Sequence, residues 1–153
     1  MPLILQLKQT QTVAQAPNHH HHLALQVAPE TLTEARARCA ALAERLTPDG
    51  EGRYQVLIAI EEAVQNVIRH GYRPEELPGR LEVTAWREGG DLVLELRDYA
   101  KPADLARIRP RAWDPARPGG LGLQLIRAAM DDVQYAHAPD GDGNILLMRK
   151  HLG

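Results

Sequence analysis

Two apolar runs, residues 81–86 and 92–96, stand on either side of Gly89-Gly90-Asp91. Both runs read as strands, and the glycine pair with its aspartate reads as a hairpin turn between them. A hairpin obliges antiparallel pairing, since a parallel return needs a crossover of about a dozen residues or more. The remaining elements must build on that pair. Leu23-Ala24-Leu25-Gln26-Val27 alternates as a short strand closed by Pro29. Residues 133–136 and 145–148 are two further strands, joined by the turn-rich Pro139-Asp140-Gly141-Asp142-Gly143.

Helical signals fill the gaps. Thr31-Leu32-Thr33-Glu34 matches a capping box, with Thr31 as N-cap and Glu34 reaching back. It predicts a helix to about Leu46, with Leu32, Ala35, Cys39, Leu42 and Leu46 facing inward, ended by Pro48-Asp49-Gly50. A second helix is expected from about Gly52 to His70, with Val56, Ile60, Ala63, Val64, Val67 and Ile68 near helical spacing. Gly71 suits a left-handed residue just past its end. A third helix is expected over residues 121–130. The order strand, helix, helix, two strands, helix, two strands predicts an α+β fold: a two-layer sandwich whose mixed, mostly antiparallel sheet carries helices on one face. Residues 1–22, rich in Gln and Thr at their start, are expected to form a flexible arm before a single folded domain over residues 23–153.

Composition narrows the function classes. The net charge of -2 gives no attraction to nucleic acid or an anionic membrane. The lack of Phe and an aromatic content of 4% argue against a base-stacking surface. Cys39 is the single cysteine, so no intrachain disulfide forms, and it is expected to pack as a small hydrophobe. No apolar run is long enough to span a bilayer, and no basic stretch leads into an apolar one near the start. A cytoplasmic protein is the expectation. The run His19, His20, His21 and His22 could hold a transition metal weakly, although a solvated loop is the commoner outcome.

Three segments carry candidate chemistry. Glu62 and Asn66 lie at i and i+4 on the second helix, so their side chains leave one strip of its surface. A carboxylate can accept a proton, and an amide oxygen can ligate a hard cation such as Mg²⁺. Exposed Glu and Asn on a helix are more often a plain solvated face. Asp98 closes an apolar strand, where a carboxylate can cap a turn or accept hydrogen bonds from an exocyclic amine. Gly119, Gly120 and Gly122, with Leu121 and Leu123, sit where a loop enters the third helix; backbone N–H groups there can approach an anion. No Lys-Ser/Thr pair follows, so the cluster is not a P-loop, and no strand leads directly into it as in a dinucleotide fingerprint.

Together the three segments resemble the GHKL (Bergerat-fold) ATPase superfamily, which includes histidine kinases and gyrase-type ATPases. Within it they look most like the anti-sigma-factor serine/threonine kinase group, the RsbW and SpoIIAB type. Glu62-Ala63-Val64-Gln65-Asn66, followed by His70-Gly71-Tyr72, resembles that group's N box. Asp98-Tyr99-Ala100-Lys101-Pro102-Ala103-Asp104 resembles its first glycine box, and Gly119-Gly120-Leu121-Gly122-Leu123-Gln124-Leu125-Ile126 its second. The match in order and spacing runs over residues 23–150.

The resemblance implies a role at each position. Glu62 would be the general base toward a substrate hydroxyl, and Asn66 would hold the Mg²⁺ that bridges the ATP phosphates. Asp98 would bind the adenine amino group, with Ala100 beside it. The backbone from Gly119 through Leu123 would meet the phosphates, under a short lid over residues 103–118 whose Arg109, Arg111 and Arg117 could face the γ-phosphate. His70, at the end of its helix, reads as structural rather than as an autophosphorylation site. The implied protein is a Mg·ATP-dependent serine/threonine kinase that phosphorylates a STAS-type antagonist and sequesters a sigma factor or other regulator, and it would act as a homodimer. One departure is visible. The family's first box usually has glycine two places after its aspartate; here Ala100 stands, and its methyl could crowd the adenine or the turn. A nucleotide-insensitive protein-binding module with a degenerate ATP site is the alternative that Ala100 motivates.

Overall fold

The computed structural model describes residues 20–105 and 122–153. Five strands form one sheet: β1 (His21–Val27), β2 (Gly79–Glu88), β3 (Asp91–Asp98), β4 (Asp132–His137) and β5 (Asn144–His151). Their spatial order is β1-β2-β3-β5-β4, and all four pairings are antiparallel. The central hairpin forms as its turn requires, with Glu88 opposite Asp91 across Gly89-Gly90. The second hairpin, β4–β5, docks through β5 against β3, so among the described residues β4 and β1 stand at the two ends of the sheet.

Three helices cover one face: α1 (Leu32–Leu46), α2 (Arg53–Asn66) and α3 (Gly122–Ala129). Alternate residues of the strands, among them Leu23, Leu25, Leu81, Val83, Leu94, Leu96, Val133 and Met148, point at Ala35, Cys39, Leu42, Val56, Ile60 and Ile126 to make the main core. This is the expected sandwich. Burying each large aliphatic side chain there contributes about 1.5–3 kcal/mol before the entropy of ordering is subtracted. Cys39 is fully buried, and burial pushes its thiol up to about 11, so it packs as a hydrophobe and is not a thiolate.

Local details differ from the sequence reading. Thr31 does precede α1, but its hydroxyl makes no cap to the helix. It accepts from the Ala28 N–H and donates to the Gln26 and Ala28 carbonyls, closing a 3₁₀ turn over Pro29–Thr31 instead. The hydroxyl was claimed by the turn entering the helix before the helix could use it. Leu32 is half-buried, and Ala43 takes the inward place beside Leu42. His21 and His22 belong to β1 rather than to a loop; His22 Nδ1 lies 3.0 Å from Thr84 Oγ1 and Nε2 lies 3.4 Å from Glu82. Among the described residues no group of three or more His, Cys, Asp or Glu could hold a metal ion, and no helix is long and apolar enough to cross a membrane.

The end of α2 matters most for function. The α-helix stops at Asn66 and continues as a π-helical turn over Val67–Gly71, closed by the Tyr72 N–H donating to the Val67 carbonyl. Gly71 is therefore not left-handed, because the wider turn ends the helix without needing a positive φ. Single π turns commonly sit at functional sites, where they re-aim the side chains of the widened turn.

Candidate functional site

A cavity of about 400 Å³ opens between the sheet and the ends of α2 and α3. Its walls are mostly apolar, including Leu81, Leu96, Leu123, Ile145 and Leu146, with Asn66, His70, Asp98, Tyr135 and Asn144 as the polar side chains. That volume and that mixture suit a small organic ligand fixed by a few directional contacts.

Asp98 forms the deep end. It is the last residue of β3 and lies in one row with Leu81 of β2 and Asn144 of β5. Its Oδ1 accepts from three donors: the Ala100 N–H at 3.0 Å, the Asn144 N–H at 3.2 Å and the Asn144 side-chain amide at 3.0 Å. None of these bonds uses Oδ2, and Asp98 lines the cavity, so one oxygen is locked and the other remains an acceptor for a ligand amine. Burial raises the Asp98 pKa above its ordinary value, opposed by the Asn144 and Ala100 hydrogen bonds and by the Arg97 charge.

Ala100 does not crowd this cavity. It is buried, is not among the lining residues, and its methyl lies 3.9 Å from where a Cβ on Gly71 would stand. No described non-glycine residue has a positive φ, so alanine adopts this turn without backbone strain. The methyl lies between the first-box turn and the end of α2 and is not part of the cavity wall.

Asn144 ties the same turn down. Beyond its two bonds to Asp98, its Nδ2 donates to the Lys101 carbonyl at 3.2 Å and its Oδ1 accepts from the Ala103 N–H at 2.8 Å. Gly143 permits this approach. It has φ +92, and a Cβ there would come within 2.0 Å of the Asp98 carbonyl oxygen, so no larger residue fits. Tyr72 braces the other side: its hydroxyl accepts from the Tyr99 N–H at 2.8 Å and donates to the Arg80 carbonyl at 2.6 Å. The sequence reading missed Asn144, Gly143 and Tyr135. For Asn144 there was a usable signal: one amide directly before the apolar run 145–148.

Glu62 and Asn66 form the outer end. Both face Gly122, the first residue of α3: a methyl on Gly122 would lie 3.0 Å from Glu62 Oε2 and 3.0 Å from Asn66 Oδ1. Glycine is what lets the start of α3 come this close to two oxygens. Asn66 also shares a hydrogen bond with Tyr135, whose pKa burial pushes up to about 12, so the phenol stays neutral. Glu62 is half-buried at the rim and is not among the lining residues. His70, in the π turn, is exposed and lines the cavity mouth. Gly119, Gly120 and Leu121 lie outside the described residues, as do Arg109, Arg111, Arg117 and all of the lid beyond Leu105; Gly122 and Leu123 are the part of the second box that is seen against the cavity.

The fold is that of the GHKL-type ATPase domains. Residues 25–150 match the family described as the histidine kinase-like ATPase domain, and the chain belongs to that family. It is 29% identical over 123 residues to an anti-sigma F factor of Thermoanaerobacter sp., a match covering 78% of this chain and 84% of that one. It is 28% identical over 147 residues to the serine-protein kinase RsbW of Listeria monocytogenes, covering 85% of both chains. Among solved structures, the RsbU and RsbW domains of a Mycobacterium tuberculosis protein superpose with a TM-score of 0.59 at 20% identity, over 90% of this chain and 33% of that one. A mycobacterial sensor histidine kinase, MprB, superposes with a TM-score of 0.53 at 14% identity, over 86% of this chain and 97% of that one. The structural likenesses show the fold, and two of the proteins that the chain resembles are named anti-sigma F factor and serine-protein kinase RsbW.

Proposed function

We propose that the protein is a serine/threonine protein kinase that uses Mg·ATP to phosphorylate a STAS-type antagonist protein and, when the antagonist is phosphorylated, holds a sigma factor or similar regulator. The observation that carries this reading is the pairing of Glu62 Oε2 and Asn66 Oδ1 against Gly122 at one end of a cavity whose other end presents Asp98. The names of the relatives, anti-sigma F factor and serine-protein kinase RsbW, supply the direction.

In this reading the adenine enters between Leu81, Leu96, Leu123 and Leu146, and its amino group donates to Asp98 Oδ2. The phosphates point toward the start of α3, where backbone N–H groups and the helix dipole favour an anion. Asn66 would hold Mg²⁺, and the site suits that ion. Mg²⁺ ordinarily takes one or two protein oxygens and fills its octahedron with phosphate oxygens and water, so a single amide oxygen on a firm helix suffices. When bound, the ion neutralises charge on the phosphates. Glu62 then takes the proton of the substrate hydroxyl as that oxygen bonds to the γ-phosphorus. The bond from the γ-phosphorus to the β,γ-bridging oxygen breaks, and ADP leaves. Asn144 and Tyr72 keep the first-box turn still, so that the nucleotide is positioned rather than merely held. Two copies of the chain would act together, in the cytoplasm.

The test is transfer of the γ-phosphate to the cognate antagonist by wild type and Glu62→Ala. Loss of transfer with ATP binding retained is expected. Undiminished transfer by the variant would overturn the role of Glu62, and a nucleotide-independent partner complex with no transfer at all would replace the kinase by a binding module.

A further inference from the structure

Asn66 ends the α-helical part of α2, and helical spacing fixes where its side chain starts. It does not fix which atom of the amide faces the cavity. The terminal torsion of an asparagine is broad and roughly two-fold, and the two ends of its amide are chemically opposite: Oδ1 accepts and Nδ2 donates. Only one orientation presents an oxygen to a cation. The other presents N–H groups, which repel it. An amide that is to hold a metal therefore needs a partner outside its own helix to set its direction.

Tyr135 is placed to be that partner. It stands on β4 opposite Leu146 of β5, which stands opposite Leu96 of β3, so the three share one row of the sheet. All three line the cavity. A phenylalanine in that row would complete the apolar wall equally well, so the hydroxyl is the part that needs a reason. A phenol taken out of water ordinarily finds a hydrogen-bond partner, and among the described residues Asn66 is the one it has. The amide itself lies against Gly122 with its oxygen nearer: a Cβ on Gly122 would stand 3.0 Å from Asn66 Oδ1 and 3.3 Å from Nδ2, with Glu62 Oε2 also at 3.0 Å. The oxygen thus sits beside the Glu62 carboxylate at the start of α3, and the nitrogen is left for the phenol. Burial pushes the Tyr135 pKa up to about 12, against the Arg127 charge and the Asn66 bond, which both act to lower it. An N–H aimed at the phenol oxygen acts in that lowering sense. The phenol keeps its own proton, so it does not compete as an anion for a metal.

We infer that Tyr135 is a positioning residue for the Mg²⁺ site: its hydroxyl oxygen accepts from Asn66 Nδ2 and so holds Asn66 Oδ1 toward the cation. Tyr135 acts through Asn66 and not on the nucleotide. The inference rests on the proposed role of Asn66 in holding Mg²⁺. Groups one step behind a metal ligand fix its orientation, and losing one typically lowers metal affinity about ten-fold or more.

The test is Tyr135→Phe, which keeps the ring in the wall and removes only the hydroxyl. In the protein free of nucleotide and metal, proton–nitrogen correlation NMR follows the Asn66 side-chain amide, assigned by its absence in Asn66→Ala. Nuclear Overhauser contacts from the Nδ2 hydrogens to the Tyr135 ring are expected, and Tyr135→Phe should shift these resonances and speed their exchange with solvent. Calorimetric titration with ATP then compares wild type, Tyr135→Phe and Asn66→Ala, each with and without Mg²⁺. Tyr135→Phe is expected to lower Mg·ATP affinity about ten-fold while binding of metal-free ATP stays as in wild type. A role confined to packing would lower both titrations alike, and that result overturns the inference. So does a Mg²⁺ gain that Tyr135→Phe leaves intact and Asn66→Ala abolishes; the metal site then stands, and Tyr135 is part of the wall alone. No Mg²⁺ gain in wild type, or a gain indifferent to Asn66→Ala, is a different failure: it removes the metal role of Asn66 and this inference with it. Should Tyr135→Phe not fold, the Overhauser contacts in the unaltered protein decide, and their absence contradicts the inference.

Discussion

The two ends of the cavity are built on different principles. The Asp98 end is assembled from distant pieces of chain, with β3, β5 and the turn after β3 meeting at one carboxylate oxygen. The Glu62/Asn66 end rests on one helix, and its geometry comes from helical spacing plus a glycine that lets α3 approach. The first end is over-determined: several hydrogen bonds must fail together before Asp98 moves. The second rests on the close approach of Gly122 and on one hydrogen bond, between Asn66 and Tyr135. An end held by many partners suits recognition of a fixed shape, and an end held by few suits groups that must meet a phosphate, a metal and a protein hydroxyl in turn.

That contrast can be broken from either side. The largest effect is expected at Gly143→Ala. The new methyl meets the Asp98 carbonyl at 2.0 Å and the position needs φ +92, so a loss of about 3 kcal/mol or more of stability should appear in urea unfolding. A variant as stable as wild type would mean that the Asp98 end is not locked by this approach. Asn144→Ala comes next. It removes bonds to Asp98, Lys101 and Ala103 and leaves a buried carboxylate less satisfied, costing about 1–3 kcal/mol with a parallel loss of ATP affinity. If thermal stability falls while affinity is unchanged, Asn144 holds the turn without orienting Asp98.

Gly122→Ala probes the other end and should cost less. A methyl 3.0 Å from Glu62 and Asn66 pushes them by a few tenths of an ångström, so phosphotransfer is expected to fall roughly ten-fold while adenosine binding stays as it was. Equal losses in both would tie the two ends together and weaken the comparison. The smallest effect concerns pH. Burial raises the Asp98 pKa in the folded protein, so the folded state holds this proton more tightly than the unfolded chain. Its contribution to stability is therefore most favourable below the ordinary aspartate value of 3.8 and is lost as pH rises through the folded value. The role proposed for Asp98 needs the ionised form, so ATP affinity should begin to fall at a pH above 3.8 as the solution is acidified. Asp98→Asn should abolish that step in a titration followed by calorimetry.

The same contrast explains what the sequence could disclose. The Glu62/Asn66 pair was legible because helical spacing is a local rule, and the hairpins were legible because turn residues mark them. The sheet and its helical cover followed from the order of elements. Asn144 was not legible as a partner of Asp98, since they are 46 positions apart and only the register of β3 with β5 brings them together. The Thr31 cap failed for a related reason: a hydroxyl has a choice of partners, and the 3₁₀ turn before the helix won. Where the Ala100 methyl goes was not legible either, because its direction depends on the path of the turn, which residue identity alone does not fix.

The central claim is that one Mg·ATP spans both ends. Calorimetric titration of wild type, Asn66→Ala and Asp98→Asn with ATP, with and without Mg²⁺, tests it most directly. The account predicts that Asp98→Asn weakens binding in both conditions and that Asn66→Ala removes only the gain due to Mg²⁺. No binding by wild type at millimolar ATP, or binding indifferent to both substitutions, would contradict it.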